Sequence, residues 1–190
     1  MNLIYNCIVF LAGLLLPILA LFNKKIKLFV NGRKETFIKL RTFQKKDAII
    51  WVHVASLGEF EQGRPIIEKM KAQYPQYKIL LTFFSPSGYE IQKEYNSADV
   101  VCYLPLDSKK NAQKLLDLVQ PKMAIFIKYE FWPNFLNTLQ KREIPTLLIS
   151  GIFRKNQTFF KSYGGWMRKS LKAFDHFFVQ DENSIALLKS

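Results

Sequence analysis

Hydrophobic positions follow two regimes along this chain. From Leu3 to Phe22 they are almost continuous, interrupted only by Asn6, Gly13 and Pro17, whereas after Asp47 they come as short apolar runs separated by amphipathic stretches. The second regime is that of a parallel sheet with crossover helices, because a strand buried on both faces shows no polar alternation. It predicts strands over residues 49–54, 79–84, 100–103, 123–127, 146–149 and 176–179. Helices are expected from Pro65, suited to a first helical position, to about residue 73, and from a cap at Asp107 or Ser108 through Leu118. Two more are expected from near Trp132-Pro133 and over 182–189. Pro75, Pro121 and Pro145 fall between elements, where a missing amide hydrogen does least damage. The expected fold is α/β, a Rossmann-like parallel sheet with crossover helices over residues 48–190.

The first regime is about as long as a hydrocarbon core is thick and reads as a membrane anchor over residues 1–22. No basic residue precedes it, and Lys24, Lys25, Lys27, Arg33, Lys34, Lys39, Arg41, Lys45 and Lys46 follow it. That asymmetry argues against a cleaved signal and places the folded part on the cytoplasmic face of the membrane. The alternatives are a helix packed on the domain, or a re-entrant or monotopic one turned at Pro17. Within the basic segment 23–47, Asn31-Gly32 suits a hairpin turn, while 33–41 equally suits a basic amphipathic helix on a membrane surface.

Charge sharpens this picture. Lys and Arg number 28 against 15 Asp and Glu, so the net charge is 28 − 15 = +13. Such a surface attracts phosphates, anionic headgroups or nucleic acid. Nucleic acid is not expected, since the densest basic cluster adjoins the apolar run and the aromatics fall at strand and helix positions. With two histidines and two cysteines, Cys7 and Cys102, none of them clustered, no metal is expected.

Ligands of open parallel sheets bind at the carboxyl ends of the strands, so the residues after each predicted strand carry most weight. Ser56-Leu57-Gly58-Glu59 makes a tight strand-to-helix turn bearing a carboxylate, without the further glycines of a dinucleotide site. From the residues alone Glu59 reads first as a first-turn acid facing the helix dipole; the functional alternative is a general base taking a proton from an attacking hydroxyl. Ser85-Pro86-Ser87-Gly88 offers hydroxyls and amides to a phosphate, or caps a helix. Leu104-Pro105-Leu106-Asp107 reads as a turn and cap. Lys128-Tyr129-Glu130-Phe131-Trp132-Pro133 sets a second acid beside a lysine and aromatic rings.

In order and spacing these four segments resemble the bacterial Kdo (3-deoxy-D-manno-octulosonic acid) transferases. The resemblance covers essentially the whole chain but only the first half of the usual enzyme. It implies a metal-free, inverting GT-B glycosyltransferase of the inner membrane that transfers Kdo from CMP-Kdo to a lipid A precursor, and it assigns this chain to the acceptor side. Glu59 would be the general base and Glu130 a second acid stabilising the transition state. Ser56, Gly58, Ser85, Ser87 and Gly88 would shape the acceptor pocket. The family commonly has Glu-Thr-Glu where this chain has Lys128-Tyr129-Glu130. No cofactor is expected beyond the donor CMP-Kdo, bound mainly by a second domain absent from this sequence, so the chain alone is expected not to turn over. The competing expectations are a GT-B enzyme with another acceptor and a non-catalytic, membrane-tethered module binding anionic lipid or nucleic acid.

Overall fold

The structure, a computed structural model, describes residues 2–189. Along the chain lie α1 (Asn2–Leu19), α2 (Lys24–Leu40), β1 (Ala48–Val54), α3 (Leu57–Gln73), β2 (Tyr77–Phe83), α4 (Pro86–Gln92) and β3 (Val100–Tyr103). Then follow α5 (Lys109–Val119), β4 (Met123–Ile127), α6 (Pro133–Lys141), β5 (Thr146–Gly151), α7 (Gly165–Leu171), β6 (His176–Val179) and α8 (Glu182–Lys189). All neighbouring strands pair in parallel, in the order β3-β2-β1-β4-β5-β6. The winding reverses between β1 and β4, which opens a crevice at their carboxyl ends.

The strands carry apolar side chains on both faces, as the unalternated runs predict. Trp51, Leu80, Phe126 and Leu148 pack with α5 and α6, while Val52, Leu81, Ile125 and Ile127 pack with Phe60 and Ile67 of α3. Helix α3 begins at Leu57, eight residues before the expected start at Pro65. The Phe60 amide already bonds the Ser56 carbonyl at 3.0 Å, so the helix starts as β1 ends. Pro65 is exposed inside it, so the hydrogen bond it cannot make is missing on the solvent face of the helix.

The two candidate caps divide the work. Ser108 Oγ accepts the Asn111 amide of α5 at 3.2 Å. Asp107 instead accepts the amides of Asn134 (3.0 Å) and Phe135 (2.9 Å) at the start of α6, and the Tyr5 hydroxyl of α1 (2.7 Å). One buried carboxylate thus ties three elements together. Asp107→Asn is expected to destabilise the chain by about 2 kcal/mol at neutral pH, because one charged acceptor is lost at a multiply bonded site. Burial, the largest influence, raises the folded carboxyl above its ordinary value, against the opposing bonds from Asn134, Tyr5 and Phe135. The folded state therefore binds this proton more tightly than the unfolded one. The wild-type margin over Asp107→Asn is fully present at and below about pH 4, the unfolded value, and shrinks as pH rises through the folded one. Denaturant unfolding at a series of pH values measures that margin, and a margin growing with pH would contradict the account.

Of the two shapes open to the basic segment, the structure has a helix. Gly32 sits inside α2, where a side chain would collide with the Tyr103 ring, so this glycine serves close approach to β3. Thr36 Oγ1 donates to the Tyr103 carbonyl at 2.9 Å, and Arg33 donates to the carbonyls of Phe84 (2.8 Å) and Phe29 (3.0 Å). The Arg33 guanidinium lies 3.3 Å from the centre of the Phe29 ring, and burial lowers its pKa to about 9. Helix α2 thereby covers the β3 edge of the sheet.

Helix α1 has two faces. Tyr5, Asn6, Val9, Gly13 and Leu16 turn toward the domain, with Asn134 Nδ2 donating to Asn6 Oδ1 at 2.9 Å and Gly13 opposite Leu106. Ile4, Ile8, Leu11, Leu15 and Ile18 form an exposed stripe at helical spacing, continued by Phe22 at 85% exposure. No single helix among the described residues is long and apolar enough to cross a membrane; α1 and α2 meet that test only as a pair bent by 118°.

Candidate active site at the switch point

The loops after β1, β2 and β4 converge on the crevice between β1 and β4. After β1, Ser56 stands at the N-cap of α3 and Glu59 at its third position, the spacing of a capping box. The side chains do not make that box. Ser56 makes no cap bond, and its hydroxyl donates to the Glu59 carboxylate instead. Glu59 is thus steered by a hydroxyl at the mouth of the turn, half-buried beside the exposed Gly58. The first turn of α3 also places it where a helix dipole attracts negative charge.

The turn after β2 is held against this one. The Ser85 amide bonds the Ala55 carbonyl at 2.7 Å, and Gly88 is buried where a Cβ would lie 2.9 Å from the Ser56 backbone and closer still to the Phe83 ring. Ser85 caps α4 by accepting the Ser87 amide at 3.3 Å, and the Ser85 and Ser87 hydroxyls are 2.9 Å apart. Gly88 therefore contributes close packing, and Ser87 the exposed hydroxyl. Gly88→Ala is expected to cost about 1–3 kcal/mol by overpacking, measured as a shift in the denaturant midpoint.

After β4, Lys128 has a left-handed backbone (φ 72°), a strained state for a residue with a side chain, and its amide bonds the Ile149 carbonyl. That turn delivers Glu130 into the crevice, 9% exposed. Its Oε2 receives the indole N–H of Trp132 at 2.8 Å and lies 3.0 Å from His53 Nε2. His53, on β1 and fully buried, places Nδ1 2.8 Å from the Thr82 hydroxyl, which in turn accepts the Trp51 indole N–H at 2.8 Å. Trp132 stacks on Phe84 with centroids 4.5 Å apart, and Phe84 meets Phe29 edge-on, so an aromatic wall runs from Glu130 to α2.

The structure thus brings Ser56, Gly58, Glu59, Ser85, Ser87 and Gly88 into one pair of adjoining turns and sets Glu130 on the loop of the neighbouring strand. His53 was missed as a site residue. Its signal was a lone imidazole in the otherwise apolar run of β1, two strand positions from Trp51 and therefore on the same face of the sheet. Among the described residues, no group of three or more His, Cys, Asp or Glu side chains is placed to hold a metal ion.

Strand order and acid-bearing loops define the class, a Rossmann-like α/β domain of the kind that forms the amino-terminal part of a glycosyltransferase. The sequence model of the family described as 3-deoxy-D-manno-octulosonic-acid transferase (kdotransferase) matches residues 31–190, and this chain belongs to that family. It is 35% identical over 107 residues to the 3-deoxy-D-manno-octulosonic acid transferase of Aquifex aeolicus, covering 53% of this chain and 30% of that protein. To the enzyme of the same name from Haemophilus influenzae it is 33% identical over 100 residues, or 52% and 23% of the two chains. The match to the Rickettsia bellii transferase is longer, 26% over 181 residues, covering 93% of this chain and 43% of the relative. The chain spans less than half the length of each of these relatives.

Proposed function

We propose that this domain is the acceptor-binding part of a glycosyltransferase that moves Kdo from CMP-Kdo to a lipid A precursor in lipopolysaccharide synthesis. The observation that carries the reading is the placement of Glu59 and Glu130 at the switch-point crevice of a chain belonging to the kdotransferase family. In the proposed step the acceptor hydroxyl oxygen attacks the anomeric carbon of Kdo as the bond from that carbon to the CMP phosphate oxygen breaks. Glu59 takes the hydroxyl proton, and CMP leaves with the bonding electrons from the opposite face, which inverts the centre. Glu130 stabilises the transition state. Ser56 orients Glu59, while Gly58, Ser85, Ser87 and Gly88 shape the acceptor side. Donor contacts belong mainly to a second domain, so the 190 residues alone are expected to bind acceptor without turning over.

The same reading gives α1 a role. Its inner face is tied to Asp107 and Asn134 and its outer face is apolar, which supports a helix lying in one leaflet of the inner membrane on the cytoplasmic side, with the lysines of α2 near anionic headgroups. The test is a titration of detergent-solubilised, phosphorylated lipid A precursor into this chain, with the dephosphorylated lipid as control and CMP-Kdo turnover assayed in the same preparation. Preferential binding of the phosphorylated lipid without turnover is expected. Equal binding of both lipids would point to another acceptor, and turnover by the domain alone would overturn the division of labour.

A further inference from the structure

We propose that His53 is a positioning residue that presents Glu130 to the ligand as a fixed carboxylate, through a relay running Trp51–Thr82–His53–Glu130. The inference rests on Glu130 belonging to the site and extends it to three residues buried beneath the crevice. The direction of the relay follows from its donors. Trp51 has only an N–H to give, and it gives it to Thr82 Oγ1 at 2.8 Å. The Thr82 hydroxyl hydrogen then has two acceptors in reach, His53 Nδ1 at 2.8 Å and the Val52 carbonyl at 3.4 Å, and the shorter bond prevails. With Nδ1 accepting, the imidazole proton is on Nε2 and points at Glu130 Oε2, 3.0 Å away.

The other neutral tautomer would give Nδ1–H to the Thr82 carbonyl at 3.1 Å and leave Nε2 to accept the Trp132 indole N–H, 3.0 Å away. That arrangement also sets the Nε2 lone pair against Glu130 Oε2 at 3.0 Å and draws away the indole N–H that Glu130 otherwise receives at 2.8 Å. A doubly protonated ring keeps the Nε2–H toward Glu130. The Nε2–H arrangement is the one that gives Glu130 Oε2 two donors, His53 and Trp132, and the short Thr82 bond to Nδ1 favours it. Trp132 supplies the second N–H to the same oxygen at 2.8 Å. Oε2 is therefore held by two donors, and Oε1, without a hydrogen bond among the described residues, is the oxygen offered to a ligand. The supporting bonds fix the orientation of the acid before a ligand arrives, which is what surrounding hydrogen bonds supply in preorganised sites. A histidine serving only as core filler would need neither a chain of two side chains behind it nor a carboxylate in front.

The relay is testable in two independent ways. In the 190-residue chain labelled with 15N-histidine, only His53 and the exposed His176 contribute signals, and His176→Gln assigns them. A His53 ring protonated at Nε2, with or without a second proton, is expected; a ring protonated at Nδ1 alone would overturn the relay without touching the catalytic reading. In a chain that joins this domain to its donor domain, His53→Leu and Thr82→Val are expected to lower kcat by about 10- to 100-fold with little change in the acceptor KM. Thr82→Ser restores most of what Thr82→Val loses. In a Glu130→Gln background the same substitutions add less than about twofold, since they act through the residue already changed. Equal losses in both backgrounds would make His53 a fold residue only. Should His53→Leu not fold, Thr82→Val alone carries the test, since it removes only the hydroxyl that fixes the ring. A fully active Glu130→Gln enzyme would instead overturn the reading of Glu130 itself.

Discussion

Glu59→Gln, in a chain that joins this domain to its donor domain, is expected to lower kcat by about 10²- to 10⁴-fold, the usual weight of a general base, while the acceptor KM stays within about threefold. The glutamine has the same shape, and its amide oxygen still accepts from Ser56, so the turn after β1 and the start of α3 are preserved. Only the capacity to take a proton is lost. The competing view of Glu59, a first-turn acid that steadies its helix, is separated by stability. Ser56 makes no cap bond to the backbone, its hydroxyl being committed to Glu59. A true N-cap serine would cost about 0.5–2 kcal/mol on replacement by alanine. Ser56→Ala is therefore expected to leave the unfolding midpoint nearly unchanged and to reduce turnover. A mutant pair that unfolds early but turns over normally would make this turn structural and remove Glu59 from the mechanism.

Much of this arrangement was legible in the sequence for a definite reason. Parallel strands buried on both faces leave runs such as Ile49 to Val54 and Met123 to Ile127 with no alternation, and the strand ends then locate the acids. What was hidden depends on long-range partners. Asp107 looked like a cap for the helix that follows it, yet it caps α6, because the loop after β3 lies against the start of that helix in space and Ser108 already serves α5. Asn31-Gly32 carried hairpin chemistry, but the identity of the neighbour, the Tyr103 ring, decided the use of the glycine. Pro65 marked a helix start by local preference and was overridden by a helix already begun at the end of β1. His53 illustrates the same limit, since a buried histidine acquires meaning only when the residues before and behind it, Glu130 and Thr82, are brought within hydrogen-bond distance by β4 and β2.

Leu11→Asp combined with Ile18→Asp is expected to reduce binding of this chain to anionic phospholipid vesicles by more than about 100-fold, read by co-sedimentation. Both side chains lie on the outer stripe of α1, 52% and 55% exposed, and make no part of the face that holds Asp107 and Asn134. Each large apolar side chain moved from water into an apolar phase contributes about 1.5–3 kcal/mol, so removing two and adding charge exceeds the roughly 2.7 kcal/mol that a 100-fold change represents. A spanning helix and a helix lying in one leaflet respond differently to a second change. The lysines that follow α1 contribute about 1 kcal/mol each near an anionic surface. For a helix resting on the surface, neutralising Lys24, Lys25 and Lys27 with glutamine weakens binding and removes most of its salt dependence, whereas an inserted span is held by its apolar length at any salt. Vesicle binding that survives the lysine substitutions at any salt but is lost with the aspartates would mean that α1 does not rest on the membrane surface, and that α1 and α2 enter it as a bent, inserted pair.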